Sequence, residues 1–138
     1  MQYTKDDLDL LCLVCWLEAR GEGPLGMRAV AHVICNRVGY PGFSSTLNGV
    51  ITGRNQFSSI SVPTDPEYGL KPQPGDVQYA WLLQTCPQIL SGEDADLTLG
   101  AHYYANEATM TSGWYRRVIV DSGQHPVTAV IGKQTFRS

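Results

Sequence analysis

The sequence lacks an apolar run long enough to cross a lipid bilayer. Its longest uninterrupted apolar run, LLCLVCWL at residues 10–17, has eight residues, whereas a membrane-spanning helix needs about 20. The segment Met1–Asp9 is polar and acidic, so it lacks the basic, apolar and small-residue order of a secretion signal. We therefore expect a protein without membrane insertion that is made in the cytoplasm and reaches any outside substrate by another route.

Basic clusters and metal-binding spacings are also missing. The formal net charge is −3 and Arg116-Arg117 is the one adjacent basic pair, which argues against a nucleic-acid partner. The three histidines are far apart and show no i, i+4 pairing, so the sequence predicts neither a metal site nor a cofactor. Three of the four cysteines lie in apolar helical patterns and are interpreted as buried thiols.

The length of 138 residues predicts one domain, residues 1–138. Hydrophobic periodicity and capping residues predict four helices, and short Val/Ile/Tyr-bearing runs near the carboxyl end predict a small sheet. The fold class is therefore α+β, mainly helical, with a small antiparallel β element in the C-terminal third. The predicted helices are Lys5–Arg20, Pro24–Arg37, one within Thr46–Thr52, and Val77–Leu90 with a break or kink at Pro87. The apolar anchors of the last helix are predicted to be Val77, Ala80, Trp81, Leu83 and Leu90. The strand candidates are Leu99–Tyr104, Arg117–Val120 and Val127–Phe136.

Glu18 lies at the end of the most apolar helix. Leu10–Leu17 has no polar residue, which predicts a buried central helix, and Gly21 is predicted to end it in a left-handed conformation. Desolvation and the negative end of the helix dipole both raise the pKa of a carboxyl placed there. A carboxyl that stays protonated near neutral pH suits a general acid. The alternative, a solvated glutamate or one paired with Arg20, stays open from this pattern alone.

A long polar loop is predicted from Gly53 to Gly75, and it carries Gln56-Phe57-Ser58. An amide binds sugar hydroxyl or N-acetyl groups, and an aromatic face covers the apolar side of a pyranose ring. This combination is typical of a saccharide site. Phe57 is equally compatible with a core plug that anchors the loop.

Five motifs occur in an order that resembles the SleB/CwlJ-type cell wall hydrolases, the catalytic-domain family of spore cortex-lytic enzymes. The resemblance spans about Asp6 to Phe136. Its landmarks are Glu18-Ala19-Arg20-Gly21-Glu22 before AVAHVICNRV, Val50-Ile51 with Gln56-Phe57-Ser58, the run Gly100–Asn106 (GAHYYAN), Trp114, and Ile131–Phe136 (IGKQTF).

The resemblance implies a lysozyme-like domain, similar to lytic transglycosylases, that binds the peptidoglycan glycan strand. It implies cleavage between N-acetylmuramic acid and N-acetylglucosamine with Glu18 as the catalytic acid. Two departures are visible. Gln134 stands where members often have histidine, as in IGKHIF, so no role is given to a histidine there. The export signal and wall-binding repeats of many bacterial members are missing, which favours a phage-encoded lysin over a spore enzyme.

The candidate substrate-binding residues follow from their side-chain chemistry and from the family motifs. Glu22 is interpreted as a supporting residue that caps the second helix or pairs with Arg20, and it is the main rival to Glu18 as the acid. Alternation along a strand predicts that one of the two adjacent tyrosines faces the substrate, with Tyr103 slightly favoured. Trp114 is a platform or lid candidate, with a core position as the alternative. The full substrate-binding set is Gln56, Phe57, Ser58, Tyr103, Tyr104, Asn106 and Trp114.

Three functions remain open at this point. A lytic transglycosylase needs one carboxylate, because the C6 hydroxyl of the sugar closes on C1. A muramidase needs a second carboxylate, for which Glu22, Asp65 and Glu67 are candidates. A peptide-cleaving amidase or endopeptidase, or a non-catalytic glycan-binding module, is the remaining alternative. We expect a monomer without a cofactor.

Overall fold

The computed structural model describes residues 1–54 and 56–138, and its centre is a pair of packed helices. Helix α1 spans Lys5–Ala19 and helix α2 spans Gly23–Arg37, joined by a 3-10 turn at Arg20–Glu22. The predicted capping box starts α1, because Thr4 Oγ1 accepts the Asp7 amide while the Asp7 carboxylate accepts the Thr4 amide. Both predicted helices are confirmed within one or two residues.

The left-handed residue at the elbow between α1 and α2 is Gly23 rather than Gly21. Gly23 has a φ of 76°, and Gly21 is not among the residues with positive φ. The chain leaves α1 through a 3-10 turn, which continues the right-handed conformation through Gly21. Gly23 then makes the sharp change of direction that allows Pro24 to enter the first turn of α2. The predicted stop at Gly21 was therefore wrong by two residues.

Three further helices pack around α1, which is buried at its centre as predicted. These are α3 (Leu47–Thr52), α4 (Ser58–Ser61) and α5 (Val77–Leu90). Helix α1 contacts α2, α3, α4 and α5, and six of its residues between 10 and 17 are buried. The main core is formed by the buried side chains of these helices, among them Leu11, Val14, Cys15, Met27, Ile34, Ile51 and Leu82.

Helix α5 differs from its prediction in two ways. It runs through Pro87 to Leu90 without a break. The proline costs the helix one hydrogen bond, since it has no N–H, but the buried residues on either side of it keep the last turn packed against the core. Its buried face is Leu82, Cys86, Ile89 and Leu90. Val77 and Leu83, predicted as anchors, are exposed.

The carboxyl third forms a three-stranded antiparallel sheet in the order β1-β3-β2. The strands are β1 (Tyr103–Ala105), β2 (Val127–Ile131) and β3 (Gln134–Arg137). The predicted strand at Arg117–Val120 was wrong: helix α6 (Gly113–Tyr115) continues there as a π-helix over Arg116–Val120. Phe136 in the central strand β3 is fully buried against Ala29 and Val33 of α2 and Ala101.

None of the helices in the described part of the chain is both long enough and apolar enough to span a bilayer.

Candidate active site

A cleft of about 850 Å³ lies where the end of α1 faces β1 and α6. The chain segment after α3 and the turn after α2 complete its walls. Helices α1 and α2 each contribute one charged side chain to it, and most of the other side chains are aromatic or polar. The lining residues are Glu18, Arg37, Gly42, Phe43, Arg54, Gln56, Phe57, Tyr103, Tyr104, Ser112, Trp114 and Tyr115.

Glu18 lies in the last turn of α1, and its carboxyl opens onto this cleft. The side chain reaches solvent, yet the protein atoms around the carboxyl remove enough water to raise its pKa. The nearby negative charges of Asp65 and Glu67 raise the pKa further, while a hydrogen bond opposes the rise. In that bond Ser59 Oγ donates to Glu18 Oε2 over 2.7 Å. The raised pKa agrees in direction with the sequence prediction.

The two carboxylates whose charges act on Glu18, those of Asp65 and Glu67, already have hydrogen-bond partners. Glu67 accepts both of its hydrogen bonds from Arg20 Nη2, at 2.9 and 2.8 Å. Asp65 accepts the Ser58 hydroxyl on one oxygen and the Glu67 amide on the other at 2.8 Å. The Ser58 hydrogen bond lowers the pKa of Asp65, so this carboxylate stays ionised. Ser58 thus holds the loop, and it is not among the cleft-lining residues.

Glu22 lies away from the cleft lining and is exposed. It makes no side-chain cap to α2, and Arg20 pairs with Glu67 instead, so both predicted contacts of Glu22 were wrong. Instead, Gln134 Nε2 donates a hydrogen bond to Glu22 Oε1 over 3.4 Å. Glu22 therefore connects the elbow between α1 and α2 to the β2-β3 hairpin.

Tyr103 and Tyr104 both line the cleft, whereas the sequence predicted one. Strand β1 has three residues at the edge of the sheet, and both of its faces border the cleft. Tyr104 stacks on Phe136 with ring centroids 5.7 Å apart. Tyr103 packs against Phe43 at 6.0 Å and edge-on to His125 at 4.8 Å.

Of the remaining predicted binding residues, three line the cleft and one does not. Trp114 lines the cleft and is 55% exposed, so the core alternative does not apply. Phe57 is buried and also lines the cleft. It is therefore part of the core and also available to form a wall of the cleft, so both interpretations of this residue apply. Gln56 lines the cleft as well. Asn106 does not; its carbonyl accepts the Thr109 and Met110 amides in a turn.

Arg37 is a cleft residue that the sequence did not indicate. The residue is 9% exposed. Its guanidinium donates from Nε to the His102 carbonyl at 2.7 Å and from Nη1 to Gln56 Oε1 at 3.1 Å. It lies over the rings of Phe43 and Phe57, at 5.1 and 5.6 Å. Ser59 was also missed, although its place next to Gln56-Phe57-Ser58 could have signalled it. An arginine in the last turn of a helix is usually predicted to lie on the surface, so the sequence did not indicate that Arg37 belongs to the cleft.

Among the residues that the structure describes, the cleft lining includes no cysteine and no histidine. Three of the four free thiols are buried, and burial raises the pKa of the fourth, Cys35, to about 12. Across residues 1–54 and 56–138, no group of three or more His, Cys, Asp or Glu side chains is arranged to hold a metal ion.

Removing the Ser59 hydroxyl is expected to move the pH dependence of the reaction. Ser59→Ala deletes a hydrogen bond that stabilises ionised Glu18, so the pKa of Glu18 rises further. A hydrogen bond to a charged group contributes about 1.5–3 kcal/mol, and one pH unit corresponds to about 1.4 kcal/mol. Because solvent screens part of this contribution at the exposed Glu18 side chain, the alkaline limb of the activity profile should shift upward by about one pH unit. Turbidity loss of bacterial wall suspensions, the substrate expected from the sequence resemblance, measures this limb between pH 4 and 9. An unshifted limb would show that Glu18 is not the group titrating there.

A protein-family model described as Cell Wall Hydrolase matches residues 21–136. Among curated relatives, a spore cortex-lytic enzyme of Halalkalibacterium halodurans is 33% identical over 112 residues, which cover 81% of this chain and 31% of that protein. A spore cortex-lytic enzyme of Bacillus cereus is 32% identical over 128 residues, covering 89% of this chain and 44% of that protein. The chain thus spans less than half the length of these relatives.

Two solved structures have the same fold over nearly the whole chain. The catalytic domain of the germination-specific lytic transglycosylase SleB from Bacillus anthracis gives a TM-score of 0.73 at 29% identity, covering 99% of this chain and 97% of that one. The catalytic domain of the Bacillus cereus SleB protein gives 0.72 at 31% identity, covering 99% and 93%. The predicted mainly helical, lysozyme-like fold with a small sheet is confirmed. These structural matches include α1 and Glu18, which precede the region matched by the family model.

Proposed function

We propose that this chain, which belongs to the cell wall hydrolase family, cleaves the β-1,4 bond between N-acetylmuramic acid and N-acetylglucosamine as a lytic transglycosylase. Glu18 is the catalytic residue in this proposal. The SleB catalytic domain, which this chain matches over almost its full length, is described as a lytic transglycosylase. The cleft supplies an acid with a raised pKa beside aromatic faces that suit sugar rings.

The proposed reaction needs one carboxyl in two successive roles. Glu18 first gives its proton to the glycosidic oxygen as the bond from that oxygen to C1 of the muramic residue breaks. The C6 hydroxyl of the same residue then bonds to C1 and returns its proton to the Glu18 carboxylate. The products are a new sugar hydroxyl and a 1,6-anhydro ring, and the acid is regenerated. Ser59 holds Oε2, which leaves Oε1 to exchange the proton.

One observation carries the choice of transglycosylation over hydrolysis. Glu18 is the one carboxylate among the described residues that line the cleft. A muramidase needs a second carboxylate about 5–9.5 Å from the first to act as nucleophile or to activate water. Asp65 and Glu67 are held by Ser58 and Arg20, and Glu22 pairs with the hairpin.

Mass spectrometry of wall fragments tests this proposal. Digestion of purified peptidoglycan with the protein is expected to release muropeptides that end in 1,6-anhydro-N-acetylmuramic acid. Fragments heavier by one water would instead identify a muramidase and direct attention to Asp65 and Glu67. Fragments with new amino groups and intact glycan would identify a peptide-cleaving enzyme, and binding to the wall without release would identify a glycan-binding module.

The same proposal includes the domain organisation, the oligomeric state and the residues that contact the sugars. Residues 1–138 act as a single catalytic domain, as a monomer, on the glycan strand of the bacterial cell wall. Gln56, Phe57, Tyr103, Tyr104 and Trp114 contact the sugars, since each lines the cleft. The acidic pI near 5.5 gives no electrostatic support for a nucleic-acid partner. A phage lysin remains our proposal for the biological source.

A further inference from the structure

We propose that the cleft contains an anion subsite, centred on Arg37 and extended by Arg54, that binds a carboxylate on the muramic-acid side of the glycan. The inference rests on the proposed function, because it takes peptidoglycan as the ligand. It adds a specificity determinant that the reaction itself does not need, since bond cleavage uses Glu18 alone.

Arg37 is a buried cation with no counter-ion among the residues that the structure describes. No carboxylate lies within 4 Å of its guanidinium in the described part of the chain. Its partners are two neutral carbonyl oxygens, those of His102 and the Gln56 side chain. Removing a charge from water without an opposite charge is costly, and the two hydrogen bonds together with the rings of Phe43 and Phe57 below the guanidinium offset only part of that cost. The positive charge therefore indicates a ligand that is absent from the protein chain itself.

One donor of the Arg37 guanidinium is unused at the cleft. Arg37 Nη2 has no hydrogen-bond partner among the described residues, although Nε and Nη1 of the same group do, and Arg37 is part of the cleft lining. A guanidinium with an unused donor at the cleft fits a ligand oxygen that carries negative charge.

The charge of the cleft contrasts with the charge of the molecule. The whole chain has a formal net charge of −3, yet its cleft is lined by two arginines and one glutamate. Arg54 is exposed and adds a second cation where a ligand would enter. A glycan of neutral N-acetylglucosamine units alone does not explain two cations. N-acetylmuramic acid does, because its lactyl group carries a carboxyl that either is free or leads to the carboxylates of the stem peptide.

Binding to chemically modified walls tests the subsite separately from catalysis. The Glu18→Gln protein, which is expected to bind without cutting, is sedimented with purified wall in native form and after its carboxyl groups are converted to amides with carbodiimide and ammonia. Loss of one charged hydrogen-bonded pair is expected to weaken binding about tenfold. Soluble strands stripped of stem peptides by an amidase keep only the lactyl carboxylate. Retained affinity for these strands assigns the lactyl group, and lost affinity assigns the stem peptide.

Arginine variants in the Glu18→Gln background identify the residues. Arg54→Gln and Arg37→Met are expected to bind native and amidated wall equally, about tenfold more weakly than the parent binds native wall. Lys71→Gln, which removes an exposed cation outside the cleft lining, is expected to keep the full difference. Thermal unfolding establishes that Arg37→Met is folded, and Arg54 on the surface gives the test a second variant.

Equal affinity of the Glu18→Gln protein for native and amidated wall would overturn the subsite. Equal weakening by Arg54→Gln and Lys71→Gln would do the same, because it would show only a general effect of charge. Stronger binding after amidation would also overturn it, since that is the behaviour of a net negative protein without a cation site. None of these outcomes depends on which bond the active protein cleaves, so the proposed function is judged separately by its fragments.

Discussion

Glu18→Gln is expected to lower the rate of glycan cleavage by about 10²–10⁴-fold, the range that a positioned general acid contributes. Glutamine keeps the shape of the side chain and can still accept the Ser59 hydrogen bond, but it cannot donate the required proton. The measurement is the release of 1,6-anhydro muropeptides per unit time from purified wall. Wild-type activity in this variant would remove Glu18 from the mechanism.

Glu22→Gln is the matched control, because Glu22 belongs to the same EARGE segment and undergoes the same chemical change. It is exposed and outside the cleft lining, and its partner is Gln134, so we expect activity within about twofold of wild type, in keeping with the small effects of surface changes. A large loss in Glu22→Gln together with an active Glu18→Gln would reverse the assignment between the two acids.

Thermal stability provides a second readout for the Glu18 variant. A carboxyl whose pKa is raised by folding destabilises the folded state once it ionises, so the penalty is absent at low pH and develops as pH rises from the unfolded-state pKa through the folded-state pKa. Glu18→Gln removes this penalty. The Tm of the variant should therefore exceed that of wild type at pH 8, and the two should converge at pH 4. A lower Tm at pH 8 would show that the loss of activity has a structural contribution.

Phe136→Ala is expected to destabilise the protein by about 3–5 kcal/mol, the usual cost of deleting a buried phenylalanine side chain. Phe136 is fully buried and fills the space between α2 and the sheet. Because folded domains are stable by about 5–15 kcal/mol, the loss is a large fraction of the total. Urea denaturation followed by circular dichroism measures it.

The same variant is expected to lose activity in the fraction that remains folded. Tyr104 lines the cleft on one side and stacks on Phe136 on the other, so the cavity allows its ring to shift. Val130→Ala is the control, since Val130 is 67% exposed on the neighbouring strand and should change stability by about 0.5 kcal/mol or less. If both variants unfold at the same urea concentration, Phe136 is not the anchor of the sheet.

Local signals in the sequence account for the elements that were predicted correctly. The Thr4-Asp7 capping box starts α1, and the apolar residues of α2 repeat with helical spacing. Both signals involve residues within one or two turns of each other, which the chain reveals without knowledge of its tertiary contacts. The helix starts at Asp76 and Thr46 have the same origin, because each side chain accepts an amide three residues later.

The errors arise where tertiary contacts decide the structure. The buried face of α5 was misassigned because Val77 and Leu83 are as apolar as Leu82, and only the position of α1 selects between them. The run Arg117–Val120 has β-forming side chains, but it follows α6 directly and continues that helix with a wider turn.

The candidate site divides in the same way. Glu18 was placed correctly at the end of a buried helix, and the family motifs indicated Gln56, Phe57 and the two tyrosines. Arg37 could not be found from the sequence, because its burial depends on the His102 carbonyl, 65 residues later. The ion pair between Arg20 and Glu67 joins residues 47 positions apart and could not be predicted from the sequence either. Because of this pair, Glu67 is not free to act as a second acid.

The order of the strands has a consequence for when the protein becomes active during its own synthesis. Of the three strands, β3 is translated last, yet it lies in the middle of the sheet, where it pairs with both β1 and β2. Strand β1 carries Tyr103 and Tyr104, and β3 is its one neighbour in the three-stranded sheet. Its two tyrosines thus have no strand to hold them at the cleft until residue 137 has left the ribosome. A nascent chain can form the α1-α2 pair early, while the opposite wall of the cleft forms only after β3 has been made.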